Sequence, residues 1–155
     1  MYMEIIKLQK HDIKQALDLA WNVFLEFDGP DYSKEGIEEF KKFLSYPSMK
    51  EKFEKGEIVF WGCKVNSVLT GVIATRGISH ICMLFVIKEF HRKGIATRLF
   101  EAVKENCKNK SNIIEITVNS SPYALEAYRR LGFIDTDHEQ IVDGIRFIPM
   151  SYLLK

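Results

Sequence analysis

Two short segments hold the residues whose types and spacing suit chemistry. Phe90-His91-Arg92-Lys93-Gly94-Ile95-Ala96 follows directly on the apolar run 81–87, and Ile95, Leu99 and Val103 then recur at helical spacing. A buried strand, a basic turn and a helix start in that order aim free backbone N–H groups beyond the strand end. Those orphan donors and the positive end of the helix dipole favour an anion, a phosphate above all. Gly94 lets the backbone approach it, Ala96 keeps the next turn slim, and Arg92 and Lys93 add charge at the rim. The same pattern also describes a plain basic turn at a strand–helix junction, so alone it leaves both readings open. Further along stands 118–133, Val-Asn-Ser-Ser-Pro-Tyr-Ala-Leu-Glu-Ala-Tyr-Arg-Arg-Leu-Gly-Phe. Ser121, Ala124 and Tyr128 fall there on one helix face.

Together the two segments resemble the GNAT superfamily of acetyl-coenzyme A-dependent N-acetyltransferases. The first is similar to that family's pyrophosphate loop, Gln/Arg-x-x-Gly-x-Gly/Ala, read here as His91-x-x-Gly94-x-Ala96. Histidine stands at 91 where the family usually has Gln or Arg. The second is similar to its other signature, a strand, a helix with Ala-x-x-x-Tyr, and then Leu-Gly-Phe. The resemblance implies acetyl-CoA as cosubstrate, with the pantetheine arm in a splay between the strands at 80–86 and 113–118. It would pair with backbone near Leu84, Phe85 and Val86, as an added strand does. The pyrophosphate would lie on His91, Arg92, Lys93, Gly94, Ile95, Ala96 and Thr97. Asn119, Ser121, Tyr123, Ala124 and Tyr128 complete the implied cofactor set.

The implied reaction is acetyl transfer from the thioester to a primary amine by direct attack in a ternary complex. The N–H of Leu84 or Phe85 would meet the developing oxyanion, and Tyr128 would protonate the departing sulfur. Packing alone is the other reading of Tyr128. No base is singled out. Glu26 and Asp28 end the first helix beside the implied acceptor site, next to Phe27, and His80 on the central strand is a further candidate. Phe24, Phe27, Tyr32 and Trp61 are candidate pocket walls. The acceptor is a small-molecule amine or a protein amino group. A non-catalytic domain that binds acyl-CoA as a sensor or scaffold is the alternative, since it needs the loop and not Tyr128.

Bulk properties fit a small enzyme. The 155 residues suffice for one domain with a real core, and the whole of 1–155 is expected to be that domain. Lys plus Arg is 22 against 21 Asp plus Glu, which argues against a nucleic-acid partner. No apolar stretch is long enough to span a bilayer, and the start Met1-Tyr2-Met3-Glu4 lacks a signal-peptide pattern. Cys63, Cys82 and Cys107 sit at unrelated spacings, which fits reduced thiols in a cytoplasm and no metal site. A homodimer is compatible with all of this.

The elements that must position these residues alternate. Strands are expected at 4–8, 57–64, 68–76, 80–86, 113–118, 134–142 and 145–154. The turns at Asn66-Ser67 and Asp143-Gly144 carry hairpin signals. A first helix capped by an Asp12–Gln15 box runs to Phe27, where Asp28-Gly29-Pro30-Asp31 breaks it. Ser33 caps a second, which Tyr46-Pro47 ends. Gly94–Cys107 is a third, and Ser121 caps a fourth with Pro122 in its first position and Gly132 at its end. The fold class is α/β, a single-domain GNAT-like fold. Its mixed, mostly antiparallel sheet has about seven strands, with helices on both faces and a right-handed crossover from 80 to 118.

Overall fold

The structure, a computed structural model, describes residues 2–110 and 112–154. Its strands are β1 (Met3–Lys7), β2 (Ile58–Val65), β3 (Val68–Arg76), β4 (His80–Val86), β5 (Glu115–Ser120), β6 (Ile134–Asp135), β7 (Gln140–Val142) and β8 (Ile145–Leu153). The helices are α1 (Ile13–Val23), α2 (Lys34–Phe43), α3 (Tyr46–Glu54), α4 (Ile95–Lys108) and α5 (Leu125–Leu131). The strand order is β1-β2-β3-β4-β5-β8-β6, with β7 on β8, and the β4–β5 pair alone is parallel. That is the mixed, mostly antiparallel α/β sheet expected.

Side-chain alternation sorts the core onto two faces. Leu69, Val72 and Ala74 of β3 pack with Ala16 and Ala20 of α1, with Phe24 just beyond it and with Met49 of α3. Ile73 of β3 points the other way, to Ile95, Leu99 and Val103 of α4 and Tyr128 of α5. Helix α4 lies unusually close to the sheet because Gly71 has no side chain. A Cβ there would stand 3.0 Å from Ile95 and 3.2 Å from Leu99. The start of α4 is thereby fixed over the end of β4.

The hairpin turns hold. Asn66 and Ser67 have φ of 50° and 70°, Asp143 and Gly144 have 52° and 79°, the left-handed pairs that a two-residue turn requires. Four local expectations do not. Asp12 makes no forward cap. Its carboxylate instead accepts the N–H of Gln9 at 2.8 Å, closing a short turn ahead of α1. Tyr46-Pro47 starts α3 rather than merely ending α2, because a proline in the first turn of a helix forfeits no hydrogen bond. Ser121 and Pro122 form a turn before α5, which begins at Leu125. Residues 134–142 are two short strands, β6 and β7, with 136–139 between them.

Candidate active site

Strands β4 and β5 pair only through His80 with Thr117 and Ile81 with Val118. Beyond that point they separate, as the splay expectation requires. The β3–β4 register shifts at the same place, leaving Cys82 as an extra residue in β4. Such a bulge bends a strand and re-aims its side chains. The gap holds a cavity of about 80 Å³, with Leu84 and Phe85 on one wall and Val118, Asn119, Ser121, Ala124 and Tyr128 on the other.

A third wall comes from the end of α1. Residues Phe24–Asp28 widen into a single π turn, in which the N–H of Gly29 reaches the carbonyl of Phe24. A short 3₁₀ turn, Gly29–Asp31, follows. The sequence signalled the break at Asp28-Gly29-Pro30 but not the widening, which tertiary packing imposes and which recurs at functional sites. Phe24, Asp28 and Tyr32 consequently face the cavity, joined by Phe40 of α2. Phe24 stacks on Phe40 with ring centroids 4.1 Å apart and meets Tyr32 edge-on at 5.3 Å.

Asp28 is the unusual group. It is 8 % exposed, and among the described residues no cation pairs with it. Burial pushes its carboxyl up to about 7, aided by the charge of Asp31 and opposed by the neighbouring Ser121 hydroxyl. Its charge is in turn felt by Tyr128, Tyr32 and Tyr123. Tyr128 is buried, with its ring edge-on to Phe133 at 5.5 Å. Burial first, then Asp28 and Cys82, drives its hydroxyl far above the ordinary tyrosine range, so it stays protonated. That hydroxyl has no hydrogen-bond partner among the described residues, yet no buried polar atom there is orphaned, so it opens onto the cavity. Cys82, which sequence reasoning missed as a cavity residue, has a thiol pushed up to about 12 chiefly by burial. It is held as an unreactive thiol.

The loop after β4 has the anion-site form. Arg92 and Gly94 both adopt left-handed backbone, φ 62° and 81°. The first helical bond of α4 runs from the Arg98 N–H to the Gly94 carbonyl at 3.1 Å. The N–H groups of Ile95, Ala96 and Thr97 therefore precede the helix ladder, and no side chain caps them. A Cβ on Gly94 would meet nothing within 4 Å, so the space before the helix is open.

The ring of His91 turns the other way. Its Nε2 donates to the carbonyl of Val86 at 2.7 Å, and its ring lies 5.0 Å from Phe27. Phe27 also stacks on Tyr123 at 5.2 Å, so three aromatic rings link the α4 loop, the end of α1 and the turn before α5.

Three expected residues are not brought in. His80 sits at the opposite end of β4, bonded through Nδ1 to Thr117 Oγ1 at 2.8 Å. Burial, then Arg76, holds its imidazole below the ordinary range. Glu26 is exposed at the rim, 4.0 Å from Lys88. Trp61 belongs to the α4 side of the sheet core. Among the described residues no group of three or more His, Cys, Asp or Glu side chains is placed to hold a metal ion. No helix among them is long and apolar enough to cross a membrane.

Known proteins match this architecture. The family model described as an acetyltransferase (GNAT) domain matches residues 28–154. An uncharacterized N-acetyltransferase of Methanocaldococcus jannaschii is 28 % identical over 152 residues, 90 % of this chain; the chain spans 63 % of that relative's length. The crystal structure of the PaiA N-acetyltransferase of Thermoplasma acidophilum in complex with coenzyme A superposes with a TM-score of 0.76. It is 24 % identical, and 99 % of each chain is covered. A GCN5-related N-acetyltransferase from Rhodopseudomonas palustris superposes with a TM-score of 0.79 at 19 % identity, covering 99 % of this chain and 98 % of that one. With its split β4–β5 pair and its open helix start beyond β4, the chain belongs to the GNAT family of N-acetyltransferases.

Proposed function

We propose that the protein transfers an acetyl group from acetyl-CoA to a primary amine, with Asp28 as general base and Tyr128 as general acid. The observation that carries this reading is the pairing of these two groups across one cavity. A buried carboxyl lies on one wall, and on the other a protonated tyrosine hydroxyl with no partner among the described residues. Burial raises both groups, so that near neutral pH the carboxyl can give up its proton while the hydroxyl keeps its own, which divides base from acid.

The residues present fit coenzyme A. The open, left-handed Gly94 and the free N–H groups of Ile95, Ala96 and Thr97 suit its pyrophosphate, with Arg92 and Lys93 at the rim. The β5-facing edge of β4, open from Cys82 onward, and Asn119 of β5 suit the amide-bearing arm. Bound there, the cosubstrate supplies a thioester carbonyl. Of the two candidate donors, Leu84 has its backbone N–H on the open edge of β4, facing the oxygen that gains charge, whereas the N–H of Phe85 points to β3. Asp28, once ionised, takes a proton from the incoming ammonium. The mismatch with an alkylamine of pKa near 10.4 is about 3.4 units, or about 4.6 kcal/mol. That fits inside the barrier of about 16 kcal/mol for a turnover of about 10 s⁻¹. Tyr128 gives its proton to the sulfur and recovers one from solvent.

The test follows free thiol released from acetyl-CoA with a panel of amines, in wild type and Tyr128→Phe. Acceptor-dependent release is expected, falling roughly ten- to a thousand-fold in the variant with coenzyme A affinity unchanged. Coenzyme A binding with no release for any amine would favour a sensor or scaffold instead.

A further inference from the structure

Among the described residues, the cavity wall bears one carboxyl, Asp28, and no lysine, arginine or histidine. The rest of its acceptor side is aromatic, made by Phe24, Tyr32 and Phe40, whose rings stack and meet edge-on within 5.3 Å. Asp31, one 3₁₀ turn beyond Asp28, adds a second negative charge close enough to raise Asp28. Arg146, whose charge is felt by Tyr32, is already committed. Its Nε and Nη2 hold both oxygens of Glu139, and its Nη1 donates to the Asp31 carbonyl.

From this geometry we infer that the acceptor is an aliphatic primary ammonium, and that the site rejects amines carrying a carboxylate on the same carbon. The inference rests on the acetyltransferase reading above. An ammonium finds an opposite charge at Asp28 and aromatic faces around it, and its methylene chain displaces water from the apolar wall. An α-carboxylate would be stripped of water beside the buried Asp28, within the field of Asp31, with no uncommitted cation among the described lining residues to receive it. An uncompensated buried charge is among the most unfavourable arrangements in a protein. An aryl amine lacks the positive charge that Asp28 rewards.

Pentylamine and norleucine differ only by that carboxylate, and with the complete protein and saturating acetyl-CoA they give the direct comparison. We expect kcat/KM for pentylamine to exceed that for norleucine by about 100-fold or more. Nα-acetyl-lysinamide in a third arm separates a free alkylamine from the same ammonium on a polypeptide. Calorimetry on the coenzyme A complex adds a reading independent of turnover. Pentylammonium should bind about tenfold or more weakly to Asp28→Asn. Equal rates for the matched pair, a preference for norleucine, or unchanged binding in Asp28→Asn would overturn the inference. Acetylation of norleucine leaves the acetyltransferase reading standing, whereas no release with any amine defeats that reading itself.

Discussion

An aspartate 8 % exposed and without a cation beside it among the described residues raises the free energy of the folded chain whenever it is ionised. Because the folded carboxyl titrates near about 7 and an unfolded one near 3.9, the folded state binds the extra proton between those values. The stability this gives is complete below about pH 4 and is lost as pH rises through about 7. Ionised Asp28 then costs about 4 kcal/mol at most. Asp28→Asn should therefore melt higher than wild type at pH 8, and the difference should shrink as pH falls towards 5. Thermal unfolding of both proteins across that range checks it; a variant that melts lower at pH 8 would mean that Asp28 is satisfied by contacts that asparagine cannot make. A destabilising carboxyl held in a cavity with no cation partner among the described residues is the usual signature of a residue kept for chemistry.

At the scale of elements, the loop between β4 and α4 makes the sharpest demand on sequence. Gly94 and Gly77 both have left-handed φ, 81° and 66°, and open space around a would-be Cβ. Valine at either position should lower the melting temperature by a similar amount, since both pay the same backbone strain. Acetyl-CoA should raise the melting temperature of wild type and Gly77→Val alike, and of Gly94→Val little or not at all. A ligand-induced shift retained in Gly94→Val would remove the phosphate assignment. This loop and the 118–133 segment were legible because their geometry is local: a strand end, a glycine and a helix start follow one another in the chain. The π turn at Phe24–Asp28 was not, since nothing in Phe-Leu-Glu-Phe-Asp distinguishes it from one more α turn. Asp28 was therefore named only as one of several acids and histidines. His80 was misplaced for a related reason. Strand periodicity gives the face of a residue, but not which end of β4 stands beside α1. Ser121 does accept the N–H of Ala124 at 3.2 Å, as a helix cap would, but the bond closes a turn ahead of α5, which starts at Leu125.

Across the whole molecule, the segment carrying Asp28 and Tyr32 is braced by the far end of the chain. Tyr32 donates its hydroxyl to the Arg146 carbonyl at 3.0 Å, and the β7–β8 turn presses on the first turn of α2. A Cβ on Gly36 would stand 2.2 Å from the Gly144 carbonyl oxygen, where only backbone can give way. Gly36→Ala should destabilise by about 1–3 kcal/mol through overpacking. By loosening the α1–α2 segment it should also raise the acceptor KM while coenzyme A affinity holds. Denaturant unfolding with steady-state kinetics would separate the two effects, and an unchanged acceptor KM would mean that the brace does not reach the site. On the proposed reading, transfer depends on a carboxylate from the π turn after α1 meeting an acid from α5, across a gap opened between two strands. The dependence of kcat/KM on pH, with an alkylamine acceptor and with wild type beside Asp28→Asn, measures that arrangement most directly. Wild type should rise about tenfold per unit below about pH 7 and level off above it, as Asp28 ionises. Asp28→Asn should be slower and should climb without a plateau to pH 9, following only the fraction of neutral amine. Parallel profiles for the two proteins, with no break near 7 in wild type, would contradict the account.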